Sequence, residues 1–426
     1  MILAIDVGGT KLAAGLVSRD GTVTGRRRVA TPQGADAETL WRTLIALVEP
    51  LAGHADAVGV GCGGPMSWPD GEVSPLNIPG WRRFPLRARL AERFPSLLVR
   101  LHNDAVCLAV AEHWLGAGRG STDMLGMVVS TGVGGGLILG GRLAHGRTGN
   151  AGHIGHVVVE PHDGPRCTCG GHGCLEAVAR GPALTAWALA NGWRPNPRKS
   201  PAPVPAPVTA RRVLDVSPDT PQQSDTAVRC GGAAGGESGR PDGTHVRPAE
   251  RDGEGALHAD AAGGRVLTGS EYDGDGVAFR RNRAAPGSGL GGEEVAFPGE
   301  RGAAGSGLGG EGVAYREDRE VTARELAADA LAGDPVAVRA MRRAGRALGV
   351  AIASATHLCD LGLVTVGGGL AQAGEPLFGP LEEALREHAR MGFARNVEVL
   401  PAALGQDAGL VGAAALHLAT DRYWPT

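Results

Sequence analysis

The stretch from 150 to 176, NAGHIGHVVVEPHDGPRCTCGGHGCLE, constrains this chain more than any other. Cys167, Cys169 and Cys174 crowd into one short segment, and His156 stands before them at the head of the apolar run VVVE. One imidazole and three thiolates complete a tetrahedral set for zinc and leave no position open for water. That is the ligand count of a structural site, not a catalytic one. Gly170, Gly171 and Gly173 allow tight turns between the ligands. The alternative, three unrelated cysteines, fits poorly with C-x-C-G-x-x-G-C in a chain of 426 residues that holds only 7 cysteines. A closed site of this kind contributes on the order of 10 kcal/mol to local folding. It would pin the segments on either side.

The other cysteines, Cys62, Cys107, Cys230 and Cys359, are scattered. Scattered thiols beside a metal cluster fit a reducing compartment, so the expected location is the cytoplasm. A net charge of -3 gives no reason to expect nucleic acid as a partner. The opening MILAIDVGGTK reads as a strand and not as a signal peptide. No apolar run approaches the length of a membrane span, so no membrane is expected.

The length allows two domains, and the pattern before and after the cluster is that of alternating strands and helices. Residues 2–6 form an apolar run ending in Asp6, followed by Gly8, Gly9, Thr10 and Lys11 and a second apolar run. Bare backbone, a hydroxyl and a cation at a strand turn make a phosphate-cradling hairpin; alone, the motif also reads as a plain β-turn. Helical spacing covers 37–53, and 57–62 is a short buried strand. A polar loop with Asn77 follows. A strand from Leu98 ends at Asn103-Asp104, where a helix starts. A carboxylate just past the end of a strand sits where open α/β sheets place their sites; a helix N-cap is the compatible alternative for Asp104. The strand 124–131 runs into a second glycine-rich loop, Thr131, Gly132, Gly134, Gly135 and Gly136, and a third glycine turn lies at Gly367, Gly368 and Gly369. Two hairpins of this kind can clamp a polyphosphate from two sides.

Between 195 and 319 the composition changes. The chain holds 70 glycines and only 4 % aromatics, and this segment accounts for much of the skew. GDGVAFRRNR, GEEVAFPGER and GEGVAYREDR begin at 274, 292 and 310, a repeat every 18 residues. The units are too glycine-rich and too poor in apolar residues for a stacked solenoid, so the expectation is a disordered or loosely packed insertion.

With DVGGTK, LNIPGW, HNDAV, STGVGGG, GNAGHIGH, CTCGGHGCLE, VGGGLA and LGQDAGLVGAA in this order, the chain resembles the ROK family of bacterial sugar kinases and repressors, in the hexokinase–actin–Hsp70 superfamily. The resemblance covers about 1–194 and 320–418. It implies a two-domain ribonuclease-H-like α/β fold with a cleft between the domains: 1–117 as the smaller domain, 118–194 with 320–405 as the larger, and 406–426 as a C-terminal helix packing back on the first. It also implies a homodimer or homotetramer, a hexose substrate, ATP and Mg²⁺, with the zinc structural. Asp104 is then the general base toward the sugar 6-hydroxyl. Asn77, Asn103, His153, His156 and Glu176 bind sugar, His156 serving also as a zinc ligand. Asp6 helps place magnesium, and Gly8, Gly9, Thr10, Lys11, Thr131, Gly132, Gly134, Gly135 and Gly367 to Gly369 hold the nucleotide.

Two departures stand out. The family's usual E-x-G-H is here His153-Ile154-Gly155-His156. A carboxylate accepts several hydroxyl bonds, whereas a neutral imidazole accepts one and donates one, so His153 is expected to weaken or broaden sugar selectivity. The other departure is the insertion, whose loop-closure cost grows only logarithmically with length. The leading reading is a glucokinase. The alternatives are a kinase for N-acetylmannosamine or fructose, and a sugar-sensing regulator. The last needs a helix-turn-helix, and no basic recognition helix is legible here.

Overall fold

The computed structural model describes residues 1–195 and 321–424; the insertion and its expected disorder lie outside the described residues. In the N-terminal lobe, strands β1 (Ile2–Val7), β2 (Lys11–Val17) and β3 (Val23–Ala30) precede helix α1 (Ala37–Ala52) and strand β4 (Ala57–Cys62). The short strands β5 (Met66–Ser67) and β6 (Glu72–Val73), helix α2 (Leu86–Arg93) and strand β7 (Leu98–Asn103) complete it. Helix α3 (Asp104–Leu115) leads to β8 (Met124–Val129), β9 (Val133–Leu139) and β10 (Arg142–Leu143). Beyond the cysteines come α4 (Leu175–Ala179), α5 (Gly181–Ala190), α6 (Ala323–Leu331), α7 (Pro335–Cys359), β11 (Leu363–Gly367), α8 (Glu375–His388), β12 (Glu398–Pro401), α9 (Ala408–Leu418) and α10 (Thr420–Tyr423).

The two large sheets share one plan. The first runs β3-β2-β1-β4-β7 and the second β10-β9-β8-β11-β12. In each, a hairpin on one side of the central strand is antiparallel and the strands on the other side are parallel. The C-terminal ends of β1, β4, β7, β8 and β11 are therefore where the glycine turns and Asp104 emerge, as open α/β sheets dictate.

Small residues set how closely the lobes are joined. A Cβ on Gly412 of α9 would lie 1.7 Å from the Cys107 carbonyl oxygen of α3, and one on Gly59 of β4 would lie 2.0 Å from the Ala413 carbonyl oxygen. Helix α9 thus lies with its backbone against both α3 and β4, which its Gly and Ala residues permit. The buried Glu112 of α3 fixes the segment leading into α9. Its carboxylate accepts the N–H groups of Ala403 (3.0 Å) and Leu404 (2.9 Å) as well as that of Ala117 (2.8 Å).

The second glycine loop differs from its sequence reading. Gly134, Gly135 and Gly136 are not loop but part of β9, paired with Val128, Met127 and Gly126. The reason is packing. A Cβ on Gly136 would sit 2.8 Å from the Val106 Cα, and one on Gly126 would sit 2.5 Å from the Ala109 Cα. The bare positions let α3 lie directly on this sheet.

Candidate active site

A cleft of about 1270 Å³ opens between the sheets. It is lined by Asp6, Gly8, Gly9, Thr10, Lys11, Asn77, Asn103, Asp104, Thr131, Gly132, Gly134, His153, His156, Glu176 and Gly367 to Gly369. Gly135 does not line it. A Cβ there would point at the carbonyl oxygens of Gly126 and Gly152, each 3.0 Å away, so that side of the residue faces packed backbone.

The end of β7 shows how two polar neighbours divide their work. The cap of α3 is Asn103, not Asp104: its Oδ1 accepts from Ala105 N (3.0 Å) and Val106 N (3.4 Å). The N-cap alternative for Asp104 therefore falls to its neighbour. Asp104 is the first helical residue, with Oδ1 on the Ala105 N–H at 2.8 Å, which leaves Oδ2 toward the cleft beside Gly63. Desolvation, then the Asp6 carboxylate, push the Asp104 carboxyl up to about 6, with Glu176 adding to the rise. Burial also raises Asp6, while Lys11 and Arg28 pull it down. Two desolvated carboxylates that repel each other are a setting in which a divalent cation is stabilising, so Asp6 and its surroundings fit magnesium.

Opposite them stand the groups tied to the cysteine segment. Cys169 Sγ and Cys174 Sγ are 3.8 Å apart, and Cys167 Sγ is 3.6 Å from His156 Nδ1. Tetrahedral zinc with Zn–S near 2.3 Å requires ligand separations of about 3.8 Å. All four donor atoms lie within 4.8 Å of one another, so the set fits zinc in spacing and in chemistry. Gly173 is required here: φ is 69°, and a Cβ would meet the Glu160 carbonyl oxygen at 1.9 Å. Directly after Cys174, α4 begins and delivers Glu176, whose Oε2 accepts the Val133 N–H at 2.9 Å. The His153 ring lies parallel to that of His156, centroids 5.4 Å apart, and approaches Gly64, where a Cβ would be 3.2 Å from His153 Cε1 and 2.9 Å from Asn103 Nδ2.

Other groups at the site carried little sequence signal. Gly63 and Gly64 line the cleft just past β4, where the end of a parallel strand could have flagged them. Arg28, Arg180 and Arg324 also line it, but nothing in their local sequence marks them. His102, buried next to Asn103, accepts the Asn103 N–H on Nδ1 at 2.9 Å, and its Nε2 lies 3.1 Å from His145 Nδ1. This joins β7 to the loop after β10.

The N-acetylmannosamine kinase of Shigella flexneri is 45% identical over 188 residues, which are 43% of this chain and 63% of that protein. The match thus spans less than two thirds of the curated relative. A ROK family glucokinase from Streptomyces griseus, solved with glucose and AMPPNP, has a TM-score of 0.62 at 27% identity, covering 97% of this chain and 98% of the other. The ROK hexokinase from Thermus thermophilus has a TM-score of 0.58 at 27% identity, covering 97% and 96%. The ROK family model matches residues 2–205 and 300–420, most of the chain. This chain belongs to the ROK family.

Proposed function

We propose that the protein is an ATP-dependent kinase that phosphorylates the 6-hydroxyl of a hexose or N-acylhexosamine, with N-acetylmannosamine as the preferred substrate. The carrying observation is Asp104, a desolvated carboxyl with its pKa pushed to about 6, in a cleft shared with two glycine hairpins. A carboxylate so tuned is ionised at neutral pH yet basic enough to take a hydroxyl proton in the transition state. Phosphoryl transfer otherwise asks chiefly for positioning and charge stabilisation. Asp104 Oδ2 receives the proton. Asn103 Nδ2, Asn77, His153 and the free oxygen of Glu176 orient the sugar. The amides of Gly8 to Lys11 and of Thr131 and Gly132 bind phosphate oxygens, and Gly367 to Gly369 face the nucleoside. Asp6 would help hold magnesium, which would neutralise phosphate charge. Cys167, Cys169, Cys174 and His156 would hold zinc and so fix the segment that carries Glu176.

The choice of N-acetylmannosamine rests on the 45% identity to a kinase of that name. A glucokinase is the second reading, supported by the likeness to the Streptomyces griseus glucokinase over nearly the whole of both chains. A coupled ADP-release assay of zinc-loaded protein with Mg-ATP and N-acetylmannosamine, N-acetylglucosamine, glucose, mannose and fructose decides between them. Turnover that vanishes in Asp104→Asn is expected. Absence of turnover on every sugar, from folded and zinc-loaded protein, overturns the kinase reading in favour of a sugar-sensing role.

A further inference from the structure

A second cavity, of about 310 Å³, lies behind the cysteine segment and is bordered by Arg166, Thr168, Arg180, Trp187 and Arg343. Among the described residues, three arginines border it and no carboxylate does. Arg343 is held in place, with Nη2 2.7 Å from Glu160 Oε2 and its guanidinium 5.7 Å from the Trp187 ring centre. Arg166 and Arg180 have no side-chain partner among the described residues. We propose that this cavity is a second ligand site that takes a phosphorylated sugar and regulates the cleft.

The chemistry of the walls points to that class of ligand. Guanidinium groups are planar forks matched to phosphate oxygens, and two of them here are unspent. Trp187 is only half-buried, and an indole face offers a flat apolar surface beside which the carbon face of a sugar ring can lie. The volume falls in the range of small-ligand pockets. Coupling to the cleft is built into the chain: Thr168 and Arg180 border both cavities. The Arg180 backbone is fixed, its N–H bonded to the Glu176 carbonyl at 3.1 Å and the next N–H, of Gly181, to the Ser130 carbonyl at 2.8 Å. The Arg180 side chain can serve one cavity or the other. A phosphate that recruits it withdraws a cation from the cleft, and so raises the KM for Mg-ATP.

The test is a titration of the full, zinc-loaded chain with N-acetylmannosamine 6-phosphate, glucose 6-phosphate and inorganic phosphate, read by tryptophan fluorescence and calorimetry. Binding of a sugar phosphate with a fluorescence change is expected. That change should be lost in Trp187→Phe, and affinity should weaken at least 10-fold in Arg166→Glu. Arg166 lies outside the cleft, so Arg166→Glu should retain the basal kcat while losing the inhibition by added sugar phosphate. Binding untouched by Arg166→Glu, or a fluorescence change that survives Trp187→Phe, overturns the proposal. Equal binding of inorganic phosphate overturns its sugar component. The titration needs no turnover, so failure of the kinase reading and failure of this one are separate results.

Discussion

Glu176 Oε2 accepts the Val133 N–H at 2.9 Å, and this bond ties the segment after the cysteine cluster to the strand that follows the second glycine turn. Glu176 stands in the first turn of α4, directly after Cys174, and Val133 opens β9 after the Thr131–Gly132 turn. Glu176→Ala leaves a backbone donor unpaired and, on the proposed function, removes a sugar acceptor together. A lost bond to a charged acceptor is worth about 1.5–3 kcal/mol, so kcat/KM should fall about 10- to 100-fold. KM should rise for both the sugar and Mg-ATP. Steady-state kinetics with each substrate varied checks this; a rise for the sugar alone shows that the Val133 bond carries no part of the effect.

The Asp104 carboxyl, raised from 3.8 to about 6, predicts two pH effects of opposite sense. As a base it must be ionised, so log(kcat/KM) should fall with a slope near 1 below a pH of about 6. In stability the sign reverses. Ionisation costs more in the folded state, so the penalty is absent below the unfolded pKa of 3.8 and fully present above about 6. Asp104→Asn removes that penalty, worth on the order of 2–3 kcal/mol. The variant should melt higher than the parent at pH 8 and close to it at pH 4. Thermal melts across this range test the claim. A parent that is the more stable of the two at pH 8 contradicts it.

Why these residues could be found in the sequence, and others not, follows from what each does. Asp104 and Asn103 were legible because a strand period ending in polar residues marks a sheet edge, though not which of the two caps the helix. The cysteine set was legible because metal chemistry fixes residue type and spacing. The run Gly134 to Gly136 misled because glycine is required equally by a phosphate loop and by close helix–sheet contact, and only the position of α3 against β9 tells them apart. Helix α2 gave no usable period, with just Leu86 and Leu90 buried. Glu112 reads as an ordinary helix residue in sequence, and its partners at 403–404 come from a distant part of the chain; Arg180 stands between α4 and α5, and only the fold brings it to the border of two cavities.

The cysteine cluster should be seen in metal analysis as one zinc per chain. Stripping it with a strong chelator removes an on-the-order-of 10 kcal/mol local constraint, so the melting point should drop by at least about 10 °C. Sugar affinity should be lost with it, because His156 belongs to both the cluster and the cleft wall. Cys167→Ser should behave like the stripped protein. Full sugar affinity in metal-free protein defeats the structural role given to the site.

Glu112 offers a test of how the lobes are joined. Its two oxygens face three backbone donors, so Glu112→Gln turns an amide NH₂ toward at least one N–H. These donors are only partly buried, so one left without an acceptor costs about 1 kcal/mol, the low end for such groups. Ala402 and Ala403 line the cleft, with Ala402 against Gly367, where the proposed function puts the nucleoside, so KM for ATP should rise more than KM for the sugar. A variant with parental melting and unchanged KM for ATP removes Glu112 from that role.

His153 is one of the two departures from the family pattern, and it lies in the cleft near Gly64 and Asn103. An imidazole offers a sugar one acceptor and one donor, while a carboxylate offers acceptors only. Replacing it should therefore change which sugars are favoured more than it changes turnover in general. His153→Glu should raise kcat/KM for a sugar with free hydroxyls at the contacted positions, relative to N-acetylmannosamine, by about 10-fold, the worth of one net hydrogen bond. The ring also packs along His156 at 5.4 Å, so a purely space-filling role predicts a different outcome. In that case His153→Glu and His153→Gln would lower kcat/KM for every sugar in equal proportion. The ranking across five sugars in both variants separates the two roles, and an unchanged ranking leaves His153 with packing alone.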